Sequence, residues 1–390
     1  MQSPVHITIA STQKLWHGGE KQAALLAEGI RERGHRCTIL AREGAKFAEG
    51  MRDRNFEVIT FRGRGRSIPA MWKIRRSLKQ MQPDVLLAND GHALTATGFG
   101  CLGIKKWLRV AARRVDFPIR SRKKFENFAD GVICVSHAVA EVCRESGLAN
   151  DLLEVVHDGV EPSFAESGNR RQGRESLGLS DADTLLLVVA KLTDHKGHRY
   201  LLDAMPSVLK SHPNVTLALA GDGELTETLQ ERTQELGIAS RVRFLGFRND
   251  VADLLAAAEV VVQPSHLEGL CSSLIDAMLA GKPIVATRAG GIPDLLDTKN
   301  NDVAWLVQPK SPNELASAVA TALANPSVAS AKGKAARKRA LERFTHHHMV
   351  DDTLRAFARV AHRTFGNQAA SLISRLEASP VTTPPVEAAA

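Results

Sequence analysis

Short β-branched runs alternate with segments of helical period along most of this chain, beginning with residues 5–10, 21–33, 36–41 and 56–61. A strand followed by a helix that returns to a parallel neighbour is the unit such a rhythm encodes, so the chain reads as α/β with parallel sheets. Further strands are expected at 85–88, 108–112, 131–135 and 154–156. The rhythm breaks over 163–176, which is polar and Gly-rich, and restarts at 184–190, with strands to follow at 215–220, 242–245, 260–263, 284–287 and 304–307. The domains expected are therefore 1–165 and 176–345, each a doubly wound sheet, then a helix over 346–366 and a flexible tail over 367–390. A length of 390 residues accommodates two such domains.

Composition narrows the class further. Apolar residues make up 44% and charged residues 24%, as in an ordinary folded protein with a sizeable core. No apolar run approaches the roughly 18–20 residues of a membrane span. The first ten residues lack a basic segment ahead of a long apolar one, so no secretory signal is read and the cytoplasm is the expected location. Cys37, Cys101, Cys134, Cys143 and Cys271 are scattered without CxxC spacing, against a disulfide framework or zinc site. The formal charge of +8 is uneven: residues 1–165 carry 26 Lys and Arg against 18 Asp and Glu, and the remainder is balanced at 25 each. The excess concentrates in 52–79 (Arg62, Arg64, Arg66, Lys73, Arg75, Arg76) and 105–124 (Arg113, Arg114, Arg122, Lys123, Lys124), which contain Trp72 and Trp107. Such stretches suit an anionic membrane surface, a phosphorylated acceptor or a solvated face. With no finger, RNP or homeodomain pattern, no nucleic-acid partner is expected.

In open α/β sheets ligands bind beyond the carboxyl ends of strands, so the loops there are the places to look for chemistry. After the first strand, Gly18 and Gly19 open a helix, where backbone N–H groups can approach an anion; a plain turn would read the same way. His92, in Asn89–Asp90–Gly91–His92, stands at a strand tip and can donate to a hydroxyl or phosphate, or be structural. Lys191 and Lys196 flank the end of the first strand of the second domain and can converge on a diphosphate, or be solvated surface. Gly221, Asp222 and Gly223 follow the next strand and either let backbone pass under a base or ribose or mark a turn. The densest segment runs from Gln263 to Met278. It sets Glu268 just before a helix start and Asp276 eight positions on, about two turns away on nearly the same face. Between them the first-turn N–H groups of Cys271, Ser272 and Ser273 can hold phosphate. One carboxylate would then grip sugar hydroxyls and the other a ribose.

Read together, GGE at 18–20, VSHAV at 135–139, HDGV at 157–160, AKLTDHKG at 190–197, AGDGE at 220–224, FLGF at 244–247 and EGLCSSLIDAMLAGKPIVATRAGGIPDLL at 268–296 form an ordered set. The chain resembles the retaining glycosyltransferases of family 4, also called group 1, over about residues 5–345. The resemblance implies the GT-B architecture, two Rossmann-like domains facing a central cleft. It implies transfer of a sugar from a nucleotide-diphosphate sugar, most commonly a UDP-hexose, to a hydroxyl acceptor. Anomeric configuration would be retained and neither metal nor other cofactor needed. Gly18 and Gly19 would approach the donor phosphate, His92 the transferred sugar, Lys191 and Lys196 the diphosphate, Glu268 the sugar hydroxyls and Asp276 the ribose. Gly221, Asp222, Gly223, Gly269, Leu270, Cys271, Ser272 and Ser273 would complete the donor site. The family usually has Arg at 191, Gly at 271 and Glu at 276; Lys191 forgoes bidentate geometry, Cys271 adds a side chain and Asp276 reaches less far. The C-terminal helix would pack back on the first domain.

The acceptor implied is a glycan or glycolipid such as a bacterial lipopolysaccharide core, met at the inner face of the cytoplasmic membrane by the basic first domain. An epimerase or hydrolase of sugar nucleotides, or a non-catalytic sensor of them, would use the same fold. Gly98–Phe99–Gly100–Cys101–Leu102–Gly103 fits GxGxxG but falls about ten residues past a strand, and Asp116 comes too soon for a dinucleotide site. Asp181–Ala182–Asp183 precedes a strand and reads as a surface loop. His346–His347–His348 reads as surface too, since consecutive helical residues point in three directions.

Overall fold

The structure is a computed structural model that describes residues 3–63, 65, 67–104 and 106–378. It divides into two compact units, one comprising 1–159 with 346–390 and the other 160–345.

The first unit runs β1 (His6–Ser11), α1 (Gly18–Glu32), β2 (Arg36–Arg42), α2 (Lys46–Asp53), β3 (Glu57–Phe61), α3 (Ile68–Met81), β4 (Val85–Ala88), α4 (Gly91–Gly100), β5 (Leu108–Arg113), α5 (Arg122–Phe128), β6 (Gly131–Cys134), α6 (His137–Glu145) and β7 (Leu153–Val155). The second runs α7 (Pro162–Glu166), α8 (Arg170–Ser176), β8 (Thr184–Val189), α9 (His198–Ser211), β9 (Val215–Ala220), α10 (Thr226–Glu235), β10 (Val242–Gly246), α11 (Val251–Ala257), β11 (Val260–Gln263), α12 (Ser272–Leu279), β12 (Ile284–Thr287), α13 (Ile292–Leu296), β13 (Trp305–Val307), α14 (Pro312–Ala324) and α15 (Pro326–Arg343). The chain then returns to the first unit as α16 (His346–Phe365) and α17 (Ala370–Glu377).

Both sheets are parallel, ordered β3-β2-β1-β4-β5-β6-β7 and β10-β9-β8-β11-β12-β13. Helices cover both faces, which is why central strands such as β1 and β9 are buried at every position and β9 reads as a nearly continuous apolar run. In each sheet the order reverses between its first and fourth strands, β1 and β4 or β8 and β11. This is the switch point where a doubly wound sheet leaves a crevice for a ligand.

Three boundaries depart from the sequence reading. The first unit ends at Gly159, and the polar stretch 163–176 is helical rather than a linker. Its helix α8 is held by distant partners: the Asn169 amide donates to Asp253 Oδ1 (2.7 Å), Arg170 pairs with Glu259 (2.6 Å), and Arg174 is buried. The expected tail from 367 contains α17, which buries Leu376 and pairs Arg375 with Asp84 (2.9 Å). Residues 379–390 lie outside the described residues.

Helix α16 belongs to the core of the first unit. Val350, Leu354, Phe357 and Val360 are buried there with Ile7, Ile9 and Leu26. It can lie this close because Gly29 and Gly131 present no side chain: a Cβ at either would stand 2.4 Å and 2.6 Å from Cγ2 of Val350 and Val360. Arg359 and Arg363 both reach Glu154 on β7 (2.7 and 2.6 Å) and fix the far end of the helix.

Candidate functional site

In the second unit the loops beyond β8, β11 and β12 are stacked through glycines. A Cβ on Gly197 would lie 2.0 Å from the Pro264 carbonyl oxygen, and one on Gly290 1.8 Å from that of Glu268. Both glycines have positive φ, +70° and +49°, so their close approach and backbone shape exclude other residues together. The His195 carbonyl accepts the amides of His266 (2.9 Å) and Leu267 (3.3 Å), and the Gly291 amide donates to the Glu268 carbonyl (3.0 Å).

This stacking carries two ionisable side chains into contact. Lys196 Nζ lies 2.6 Å from Glu268 Oε2, with side-chain exposures of 18% and 9%. Ser265 Oγ donates to the same carboxylate oxygen (3.2 Å) and accepts from Gln263 Nε2 (2.8 Å). Thr287 in turn donates to the Ser265 carbonyl. A buried carboxylate held from behind by a hydroxyl and in front by an ammonium is a preorganised acceptor for hydroxyl groups, and the ammonium is a ready partner for an anion.

Cys271 follows as the residue before α12, in left-handed backbone at φ +79° and ψ 73°. It is buried, its Sγ lies 3.4 Å from Ser273 Oγ, and burial pushes its thiol up to about 12. Ser272 and Ser273 open the helix, whose first-turn amides have no partner within it. Asp276 is buried on its second turn. Because the helix starts only at Ser272, Glu268 stands in the loop, and the expected shared helical face with Asp276 does not exist. Gly269 and Leu270 are buried between them.

Of the remaining residues expected in this unit, Lys191 is exposed at the end of β8. Gly221 and Gly223 are spent on protein packing: a Cβ at either would meet the carbonyl oxygens of Ala190 (2.0 Å) and Leu192 (2.3 Å), and the Leu192 amide bonds the Asp222 carbonyl (2.9 Å). Their backbone therefore supports the Lys191 loop from below. His198, the first residue of α9, was missed by motif reasoning. It is 2% exposed with neither ring nitrogen hydrogen-bonded, and burial, helped by Lys196 and His195, lowers its pKa to about 4.

The first unit has its own opening at the β1–β4 switch point, a pocket of about 410 Å³ bordered by Thr12, Lys14, His17, Arg42 and His92. Asp90 organises it. Its carboxylate accepts the Thr12 amide and hydroxyl (both 2.7 Å) and the His92 and Ala93 amides (both 2.9 Å), which caps α4 and sets His92 on its first turn. Gly18 and Gly19 begin α1, and a Cβ at either would meet nothing within 4 Å, so this helix start faces open space. Behind it Glu20 is buried, accepting Ser11 Oγ (3.2 Å) and the His17 amide (3.3 Å), and burial raises its pKa. Arg114 joins Asn89 Oδ1 (2.6 Å) to Asp158 (3.0 Å), whose pKa burial also raises.

The basic stretches divide differently from their sequence. Arg114 is internal, Arg109 pairs with Asp130, and Trp107 is buried, so much of 105–124 is not a free cationic face. Helix α3 is: Ile68 and Trp72 are 76% and 72% exposed, with Lys73, Arg76 and Lys79 also exposed. Arg64, Arg66 and Lys105 lie outside the described residues. The first half of the GxGxxG segment, residues 98–100, ends α4 and the rest is a turn, and Asp181–Asp183 is a turn before β8 closed by Ser180 on Asp183.

Two Rossmann-like units of this topology, each with polar loops at its switch point, make the glycosyltransferase fold called GT-B. The family models agree on both units: "Glycosyltransferase Family 4" matches residues 16–164 and "Glycosyl transferases group 1" residues 169–339. The chain belongs to this family of glycosyltransferases. An uncharacterized glycosyltransferase of Methanocaldococcus jannaschii is 35% identical over 195 residues, 47% of this chain and 48% of that one. The lipopolysaccharide core biosynthesis glycosyltransferase LpsE of Rhizobium meliloti is 26% identical over 283 residues, 70% of this chain and 76% of that one. The chain spans about half the length of most of the curated relatives it matches. Among solved structures, Anabaena HepE in complex with UDP-glucose superposes with TM-score 0.76 at 24% identity, over 90% of this chain and 99% of that one. No helix among the described residues is long and apolar enough to cross a membrane.

Proposed function

We propose that the chain transfers a hexose from a nucleotide-diphosphate sugar, UDP-hexose first, to a hydroxyl of a glycan or glycolipid acceptor, with retention at the anomeric carbon and without a metal ion. The observation that carries this reading is the Lys196–Glu268 pair at the second switch point, beside the open start of α12. An entering diphosphate draws Lys196 off Glu268 and takes the first-turn amides of Ser272 and Ser273. Glu268, released but still held by Ser265, then accepts the hydroxyls of the sugar. As the bond from the anomeric carbon to the diphosphate oxygen breaks, Lys196 and Lys191 neutralise the charge that develops on the leaving group. Asp276 takes the ribose, and Gly18, Gly19 and His92 serve the donor phosphate and the transferred sugar. HepE has been crystallised with UDP-glucose, which supports UDP as the first base to test.

LpsE supports a lipopolysaccharide-core acceptor, and the exposed Ile68, Trp72, Lys73 and Arg76 of α3 suit an anionic membrane at the cytoplasmic face. Vesicle co-sedimentation tests this part: equal binding to neutral and anionic vesicles counts against it.

The donor is tested by thermal shift with UDP, GDP, ADP and their sugar conjugates, since a ligand at 100 times its Kd stabilises by about 2.7 kcal/mol. A base-selective shift that grows with one attached sugar supports the reading. No shift with any of them overturns it. Incubation with the donor, without and then with an acceptor glycan, separates the alternatives: without acceptor an epimerase alters the sugar on its nucleotide and a hydrolase frees it, and a sensor consumes donor in neither case.

A further inference from the structure

The chain enters the second unit after Gly159 and returns at His346, the first residue of α16. At this return α16 meets the end of α1. Gly29 lets Val350 approach, Arg33 pairs with Asp351 (2.6 Å), and Arg33 also donates to the His347 carbonyl (3.1 Å). The same contact gathers three ligand-type side chains. One atom each from the Glu32 carboxylate and the His346 and His347 imidazoles lie within 4.8 Å of one another, and the two rings are tilted at 40° with centroids 3.9 Å apart. The sequence reading took the histidine run as surface; its members are half-buried, and two of them lie beside Glu32. At the first residues of a helix no preceding turn constrains the side chains, and Glu32 arrives from more than 300 positions away to meet two of the three.

We propose that Glu32, His346 and His347 form a site for a borderline-soft divalent cation, Zn2+ before Ni2+ or Co2+ in a cell, with water completing the coordination. Two imidazole nitrogens and one carboxylate oxygen are a recurrent donor set for such ions, whereas Mg2+ and Ca2+ want oxygen. Tetrahedral bonds of about 2.0–2.2 Å need the three atoms to close by roughly an ångström, which side chains that are exposed (Glu32) or half-buried (His346, His347) can do by rotation. The nearby cation Arg33 does not oppose the ion with a bare charge, because Asp351 neutralises it. Glu32 ends α1, about 20 Å along that helix from Gly18 at its start, so the site is separate from the glycine-lined opening and serves no step of sugar transfer. Its effect is to fasten the point where the chain re-enters the first unit.

The test is calorimetric titration of the full chain, carrying no added histidine tag, with ZnCl2 and separately with MgCl2. The expected result is saturable one-to-one binding of Zn2+, none of Mg2+, and a higher Tm with Zn2+. Glu32→Gln should weaken Zn2+ binding by about tenfold or more. His346→Ala/His347→Ala should remove it, and His348→Ala should leave it unchanged. These residues are exposed or half-buried, so the variants fold, and their Tm without metal checks this. Zn2+ affinity equal in Glu32→Gln and the parent, or a loss in His348→Ala as large as in the double variant, would show three adjacent imidazoles acting as a simple chelating run and overturn the site. So would the absence of saturation by about 1 mM Zn2+.

Discussion

Lys196 Nζ and Glu268 Oε2 lie 2.6 Å apart although 72 residues separate them, and each has the other as its charged partner. If the pair were only structural, removing either member would cost the same kind of stability and leave ligand binding to fall with it. If it is the donor site at rest, only the lysine substitution lowers nucleotide affinity. Lys196→Ala is expected to weaken UDP binding and lower kcat/KM at least about 100-fold, near 2.7 kcal/mol. Glu268→Ala abolishes transfer yet keeps or strengthens UDP binding, because Lys196 no longer has to leave a carboxylate. Calorimetric titration with UDP beside initial rates measures both, and parallel losses of UDP affinity refute the assignment.

Cys271 holds a left-handed backbone, φ +79°, that costs an L-residue about 1–2 kcal/mol and glycine almost nothing. Cys271→Ala and Cys271→Gly both delete the sulfur, so comparing them isolates the backbone. The glycine variant is expected to be the more stable by about 1 kcal/mol. Urea denaturation of the two variants checks it. The thiol, pushed up to about 12 by burial, should also resist alkylation at pH 8 in the folded parent.

The parallel sheets were legible because strands covered on both faces are mostly apolar, and β8 (TLLLVV) and β9 (VTLALA) show this plainly. The strand-end motifs were legible for a related reason: Gly197 and Gly290 leave glycine letters where loops stack against Pro264 and Glu268. What escaped depends on partners far away in sequence. Helix α8 is anchored by Asp253 and Glu259, α17 by Asp84, and the Glu32–His346–His347 group by a helix contact that no local pattern announces. Trp72 and Trp107 sit in similar basic surroundings in sequence, yet one is exposed and the other buried beside β5, since only the sheet decides which face a residue meets. The Gly221–Asp222–Gly223 segment was a turn signal whose purpose, backing Ala190 and Leu192, required the fold.

His198 is buried without a hydrogen bond on either ring nitrogen, and its pKa falls from 6.5 to about 4 through burial first and the neighbouring Lys196 and His195 second. The unfolded chain therefore binds a proton between these values that the folded one refuses. Stability from this residue is complete above pH 6.5 and is lost as pH falls toward 4, by about 3 kcal/mol. His198→Leu removes the titrating group, so its unfolding free energy should fall less than the parent's between pH 7.5 and pH 4. Equal slopes for the two proteins would show that His198 is not the group responsible.

Gly131 on β6 faces Val360 of α16, and a Cβ there would stand 2.6 Å from Cγ2 and 2.8 Å from Cγ1. Both side-chain branches would have to move within a core that has little slack, so Gly131→Ala is expected to destabilise the first unit by about 1–3 kcal/mol. Val360→Ala alone leaves a cavity and costs its own increment. Combined, the alanine at 131 occupies the space the valine vacated, and the double variant should be more stable than the sum of the single losses by at least about 1 kcal/mol. Simple additivity in denaturant unfolding would mean that α16 does not press on β6 at this point. A favourable coupling establishes that the returning helix is built into the core of the first unit.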